Sequence, residues 1–239
     1  MMATPEARGR GMVQTVLERA GSMLLQAAED RRPAAATTAV PVRPVVAAVA
    51  LAPRCGGTTV ARALAVELGR RDSARAAAVC GPSGPSSVAL PTSSAGRLGR
   101  ALEPFADDGM RTAGRLCLLD AVDPAPLAAA SKYAAPLVID VRHGEPAGRP
   151  VALADHVVLV AGPDVEPALA EVVAASLARI GPEPLIAVTR VIEPGAWGGR
   201  GALLLPESRA GARLALAGRE ARGGLGSAIA ELADLCERL

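Results

Sequence analysis

From Pro44 onward, apolar positions follow two patterns in turn. Continuous apolar runs occur at Val45–Leu51, Ala76–Cys80, Leu116–Leu119, Leu137–Val141, Val157–Ala161, Leu185–Val191 and Ala202–Leu205. Runs of this length read as strands buried on both faces. Between them the spacing turns helical. Thr58–Arg70 places Val60, Ala61, Leu64, Ala65 and Leu68 on one face, and Val165–Ile180 is closed by Gly181-Pro182. Further helices are predicted over Pro124–Tyr133, Ser208–Ala217 and Leu225–Leu239, and the Gly-, Pro- and Ser-rich stretch 81–97 reads as a long loop. The alternation predicts an α/β fold: a mostly parallel β-sheet with helices on both faces. Ligands of such sheets bind at the carboxyl ends of the strands. Here those ends are Leu51-Ala52, Cys80-Gly81, Asp140-Val141, Gly162-Pro163 and Arg190.

The first 43 residues differ in character. Met12, Val13, Val16, Leu17, Ala20, Met23, Leu24 and Ala27 share one helical face, and 31–44 is rich in Pro, Ala and Thr. The expected organisation is an amphipathic helix and linker over 1–43, followed by one domain over 44–239. The helix over 12–28 is either packed on that domain or a docking element for a protein partner. Its polar face is mixed rather than strongly basic, which argues against a membrane surface.

Composition narrows the chemistry. The chain has 239 residues and a net charge of +2, so bulk charge gives no reason to expect a nucleic acid partner. Lys132 is the only lysine, and Phe105, Tyr133 and Trp197 are the only aromatics. Cys55, Cys80, Cys117 and Cys236 form no C-x-x-C pair, and His143 and His156 are not at metal-ligand spacing, so incidental thiols and satisfied or surface histidines are expected. Trp197 lies among Gly195, Gly198 and Gly199, which reads as a flexible loop. Asp107-Asp108 reads as a solvated pair. No apolar run is long enough to span a bilayer and no signal core is visible, so a cytoplasmic protein is expected.

The first strand runs into Ala52-Pro53-Arg54-Cys55-Gly56-Gly57-Thr58-Thr59 and then directly into a helix. Strand, Gly-containing turn, Thr-Thr and helix is the layout of a phosphate loop. The stretch resembles the deviant loop of the MinD/ParA ATPases, Lys-Gly-Gly-x-Gly-Lys-Thr-Thr. Aligned on Thr58-Thr59, the family's signature lysine falls on Ala52, its second lysine on Gly57, and its early glycines on Pro53 and Arg54. Pro136 to Gly144 resembles the family's strand-borne aspartate, here Asp140, and the glycine after it. Ala154 to Pro163 resembles its buried strand ending in Pro. Ala187 to Val191 resembles its Asn-Arg strand, with Thr189 in place of the base-reading asparagine, and Leu204 to Glu207 its late strand-Pro-acid turn. The resemblance spans about residues 44–239.

It implies a nucleotide site at Arg54, Gly56, Gly57, Thr58, Thr59 and Asp140, with Thr58 and Asp140 holding Mg²⁺ if the ion is retained. Each departure removes something phosphate binding uses. Gly57 and Ala52 supply no cation, Pro53 has no N–H, and Arg54 is bulky and planar where backbone approach and a compact charge are needed. One lost charge-stabilising donor already costs about 10²–10³-fold in rate. The expectation is therefore a vestigial site with no catalytic residues and no required cofactor, in a CpaE/TadZ-like positioning or scaffold protein for pilus-assembly or secretion machinery, with a homodimer left open. The alternative is an active ATPase that uses arginine for cargo or DNA partitioning. Read without the family, Asp140 caps a turn and Thr58 and Thr59 cap a helix.

Overall fold

The computed structural model describes residues 44–71, 77–81, 88–89, 98, 100, 102, 104, 111–119 and 136–237. The expected helices over 12–28 and 124–133, the linker 31–43, Lys132, Phe105, Tyr133 and Asp107-Asp108 lie outside the described residues.

The predicted apolar runs form seven adjacent strands of a nine-stranded sheet. In chain order the strands are β1 (Val45–Ala50), β2 (Ala77–Cys80), β3 (Val88–Ala89), β4 (Arg111–Ala113), β5 (Leu116–Leu119), β6 (Leu137–Val141), β7 (His156–Ala161), β8 (Pro184–Val191) and β9 (Leu203–Pro206). The helices are α1 (Gly57–Arg71), α2 (Gly148–Leu153), α3 (Pro167–Leu177), α4 (Arg209–Leu216) and α5 (Gly223–Glu237), with a 3₁₀ turn at Gly195–Trp197. Strand order is β3-β4-β5-β2-β6-β1-β7-β8-β9. β1 is paired in parallel with β6 on one side and β7 on the other, so the loop after β1 opens between the ends of two neighbours.

The central strands β1, β2, β5, β6 and β7 bury both faces because helices cover both. Val46, Ala48, Val158, Val160 and Leu205 pack with residues of α1, α4 and α5. Val45, Ala47, Val49, Leu159 and Val188 pack with Val151 of α2 and with Ala170 and Leu177 of α3. Small side chains let the layers approach closely. A Cβ built on Gly57 would meet the Cβ of Ala50 at 3.0 Å, tighter than ordinary van der Waals contact.

Four features depart from the sequence pattern. Val88–Ala89 is a strand inside the stretch read as loop, and β3, β4 and β5 are joined by antiparallel pairs. β4 is Arg-Thr-Ala, which shows no apolar run, and its two-residue turn through Gly114 (φ 54°) directs it back along β5. α2 is too short to show a helical period. Trp197 is buried, not in an open loop: it is 3% exposed in the same cluster as Val188. Positive φ at Gly195, Gly199 and Gly201 folds this segment back so that its one large ring leaves water. α1 is the fourth. Its apolar face was expected to be buried, but α4 and α5 cover the other side too, so Arg62 and Glu67 are also buried. Glu67 is satisfied by Arg70 at 3.0 and 2.7 Å and by Arg71 at 2.8 Å, and Arg71 continues to Asp234 and Glu237 of α5.

Candidate functional site

At the carboxyl end of β1 the chain turns through Leu51–Gly56 into α1. Arg54 (φ 59°) and Gly56 (φ 90°) both take left-handed backbone conformations there. For arginine that conformation costs roughly 1–2 kcal/mol, so the surrounding turn enforces it. The carbonyl of Cys55 accepts a hydrogen bond from the Thr189 hydroxyl on β8, with the Ala161 carbonyl a second acceptor at 3.3 Å. Thr189 is buried and turned onto the loop. It braces the turn from below and its hydroxyl is not offered to the cleft.

The loop, the start of α1 and the end of β6 enclose a cleft of about 570 Å³ whose walls include Arg54, Gly57, Thr58, Asp140, Arg142 and Leu216. A second hollow of about 260 Å³ lies on the β8–β9 side, lined by Thr59, Thr189, Arg190, Pro206, Ser208 and Leu225 among others. Arg54 and Gly56 line both hollows. The expected nucleotide residues Arg54, Gly56, Gly57, Thr58, Thr59 and Asp140 are thus brought together around one helix N-terminus. By helix geometry the N–H groups of Gly57, Thr58 and Thr59 have no partner inside α1 and form a ready anion site.

Asp140 is the charged element at its base. It is 2% exposed, and neither carboxylate oxygen has a hydrogen-bond partner of good geometry. Burial pushes its pKa above the ordinary value, against the opposing pull of the Thr58 hydroxyl and of the Arg142 and Arg62 charges. A turn cap would show a bond to backbone N–H, and Asp140 shows none. His143 lines the cleft half-buried, and His156 is buried with its pKa lowered by desolvation. Arg142 is exposed, and its N–H donates to the Glu145 carboxylate at 3.0 Å. Arg190 also takes positive φ (57°) and lies 3.7 Å from Asp164.

Oxygen donors from Thr58 and Asp140 suit a hard divalent cation such as Mg²⁺, and an orphaned buried carboxylate is what such an ion would satisfy. The phosphate half fits less well. Pro53 has no N–H, the Cys55 N–H is turned back to the Ala52 carbonyl, and Gly57 carries no side chain. A lysine at Gly57 would require Ala50 to retreat by a few tenths of an ångström.

Sequence reasoning missed Arg62. It sits one turn after Thr58 on α1, is 1% exposed, and donates through Nη1 to the Leu216 carbonyl at 2.7 Å. The i, i+4 relation to Thr58 was the available signal. All four thiols are buried, and burial raises Cys80 and Cys236 to about 12 and Cys117 to about 11. Among the described residues no group of three or more His, Cys, Asp or Glu side chains converges as a metal site would need, and no helix is long and apolar enough to cross a membrane.

No protein-family model and no curated protein sequence matches the chain. Solved structures do. MinD from Aquifex aeolicus is 14% identical with a TM-score of 0.56, over 80% of this chain and 96% of its own. The same organism's MinD in complex with MinC is 15% identical with a TM-score of 0.55, over 80% and 95%. A ParA family ATPase from Chlorobium tepidum is 14% identical with a TM-score of 0.52, over 80% and 98%. The fold is that of the MinD/ParA-like P-loop NTPases. At these identities the likeness shows the fold and nothing finer.

Proposed function

We propose that this chain is a non-hydrolysing P-loop protein that acts by positioning or scaffolding a protein partner. The reading rests on one observation: the loop at the helix N-terminus has Ala52 and Gly57 where phosphate chemistry needs lysines, and Gly57 is packed at 3.0 Å distance for any Cβ against Ala50. No lysine occurs among the described residues, and neither Ala52 nor Gly57 supplies a cation at the head of α1. A fold that keeps its cleft but not its catalytic charge suits a binding role. The MinD structure bound to MinC makes a protein partner a reasonable expectation for this fold. Residues 12–28 are the first segment to test for it, with pilus-assembly or secretion machinery the first class of assembly to try. A homodimer belongs to the same reading.

The test is calorimetric titration with Mg²⁺-ATP, paired with phosphate release, against a MinD-type ATPase as control. No heat up to millimolar nucleotide and no phosphate release are expected. Micromolar binding with turnover would overturn the proposal. One observation favours the alternative of an arginine-assisted ATPase: Arg54 is held in a left-handed conformation at the lip of both hollows. In that case nucleotide binds and Arg54→Ala abolishes it.

A further inference from the structure

The hollow on the β8–β9 side differs from the cleft around Asp140. It holds about 260 Å³, below the roughly 300–1,000 Å³ of small-molecule sites. Val60, Leu205 and Leu225 line it and are buried, so its floor is apolar. Three exposed arginines, Arg54, Arg190 and Arg209, line it as well, so its rim is cationic. Arg54 (φ 59°) and Arg190 (φ 57°) are the non-glycine residues of positive φ among the described residues, and both border this one hollow. The pairing of β8 with β9 shifts register between Val188 and Val191. A bulge of this kind re-aims side chains, and here it leaves Thr189 buried and Arg190 exposed.

The rim charges are only loosely held. Arg54 forms no ion pair among the described residues. Arg190 lies 3.7 Å from Asp164, and Arg209 lies 4.0 Å from Glu207, which also lines the hollow. Exposed pairs of that length are worth little, so both guanidiniums can turn to an incoming carboxylate. Of the hydroxyls lining the hollow, that of Thr189 donates to the Cys55 carbonyl and that of Ser208 accepts from the Gly211 N–H at 3.0 Å. A ligand read by fixed neutral donors and acceptors, as a purine is, finds few of them free. An aliphatic group with negative charge beside it matches both floor and rim. A buried apolar anchor ringed by polar contacts, with arginine among them, is also how protein interfaces concentrate their binding energy.

We propose that this hollow is the docking point for a protein partner: an acidic segment that inserts one aliphatic side chain against Val60, Leu205 and Leu225 and sets its carboxylates on Arg54, Arg190 and Arg209. The inference deepens the protein-positioning reading and rests on it, naming the chemistry of the partner.

The experiment titrates the full chain with the capped peptide Asp-Glu-Leu-Glu-Asp at low ionic strength. Fluorescence anisotropy of a labelled copy gives the affinity, and amide chemical shifts give the location. Submillimolar binding is expected, weakening with added NaCl, with shifts centred on Gly56, Arg190 and Ala212. Serine in place of the peptide's leucine should weaken binding roughly tenfold. Arg54→Gln and Arg190→Gln should each weaken it several-fold, and Ala212→Glu, which puts a carboxylate in the hollow, should abolish it. Arg179→Gln, at an exposed arginine beyond α3, should leave it unchanged. If Ala212→Glu does not fold, the two rim variants, which alter exposed side chains, carry the test. A peptide without measurable affinity would overturn the proposal. So would a serine peptide that binds equally well, an equal loss in Arg179→Gln, or Mg²⁺-ATP displacing the peptide from the same amides. Phosphate release from Mg²⁺-ATP by a protein that still binds the peptide here would sink the non-hydrolysing reading alone. Absence of both phosphate release and peptide binding would sink this proposal alone.

Discussion

Replacing Asp140 with asparagine is expected to stabilise the protein at neutral pH. The carboxyl is 2% exposed and its oxygens have no hydrogen-bond partner. Its pKa in the folded chain lies above the ordinary value, chiefly through burial. The folded state therefore binds the proton more tightly than the unfolded state. This group's contribution is at its best below the unfolded pKa of about 3.9 and is lost as pH rises through the folded value. Above that value a buried carboxylate, only partly offset by the nearby Thr58 hydroxyl and arginine charges, costs more than the roughly 1–3 kcal/mol of a neutral unsatisfied group. Asparagine has the same shape and no charge, but its amide also lacks partners. The gain is the difference between the two, about 1 kcal/mol at neutral pH, or about 2–4 °C in Tm for a domain of this size. Urea unfolding at several pH values measures it, the midpoint moving while the slope stays constant. The gain should shrink as pH falls towards about 4. An Asp140→Asn protein less stable than the native one at neutral pH, or a gain independent of pH, would refute this account.

Three further changes probe the frame around the site. Glu67 is held below its ordinary pKa, first by its hydrogen bonds from Arg70 and also by Arg71, against the opposing effect of burial, so its contribution is present above the unfolded value of about 4.3 and lost as pH falls; Glu67→Gln should cost about 1–2 kcal/mol at neutral pH and flatten the acid limb of a denaturation series. Thr189→Val keeps the side-chain volume but removes the donor to the Cys55 carbonyl, and should cost about 1–2 kcal/mol while increasing hydrogen exchange in the loop before α1. Gly218→Ala should be far more damaging, roughly 3–5 kcal/mol by chemical denaturation, because φ is 65° and a Cβ would lie 1.7 Å from the Ala113 carbonyl oxygen.

The central strands were legible because a strand buried on both faces must be apolar along its whole length, as in Val45–Ala50 and His156–Ala161. The parallel order followed from their alternation with helices. The edge was not legible, since Arg111–Ala113 has neither an apolar run nor an alternating one and is held by its hairpin with β5. The loop residues could be gathered at one point from sequence because they follow one another between β1 and α1, and Asp140 joined them through the resemblance. Arg62 and Trp197 show the limit. Each reads as exposed from its neighbours, a polar residue on a helix and a ring among glycines. Each is buried by elements distant in sequence: α4 over Arg62, and the face of β8 under Trp197. Local pattern cannot report a cover that comes from elsewhere in the chain.

A P-loop site has two separable halves, and this chain treats them differently. One half is a helix N-terminus with a hydroxyl and a carboxylate, and Thr58 and Asp140 keep it. The other is a mobile cation brought to the phosphates by lysine, and Ala52 and Gly57 omit it. Drift alone would be expected to relieve the first half as well, because an orphaned carboxylate at a cleft base costs stability and asparagine or serine is one substitution away. Its retention makes the Asp140→Asn unfolding series the deciding measurement: a gain in stability that shrinks towards acid marks a carboxyl kept at a cost, and no gain marks one whose charge its surroundings already balance.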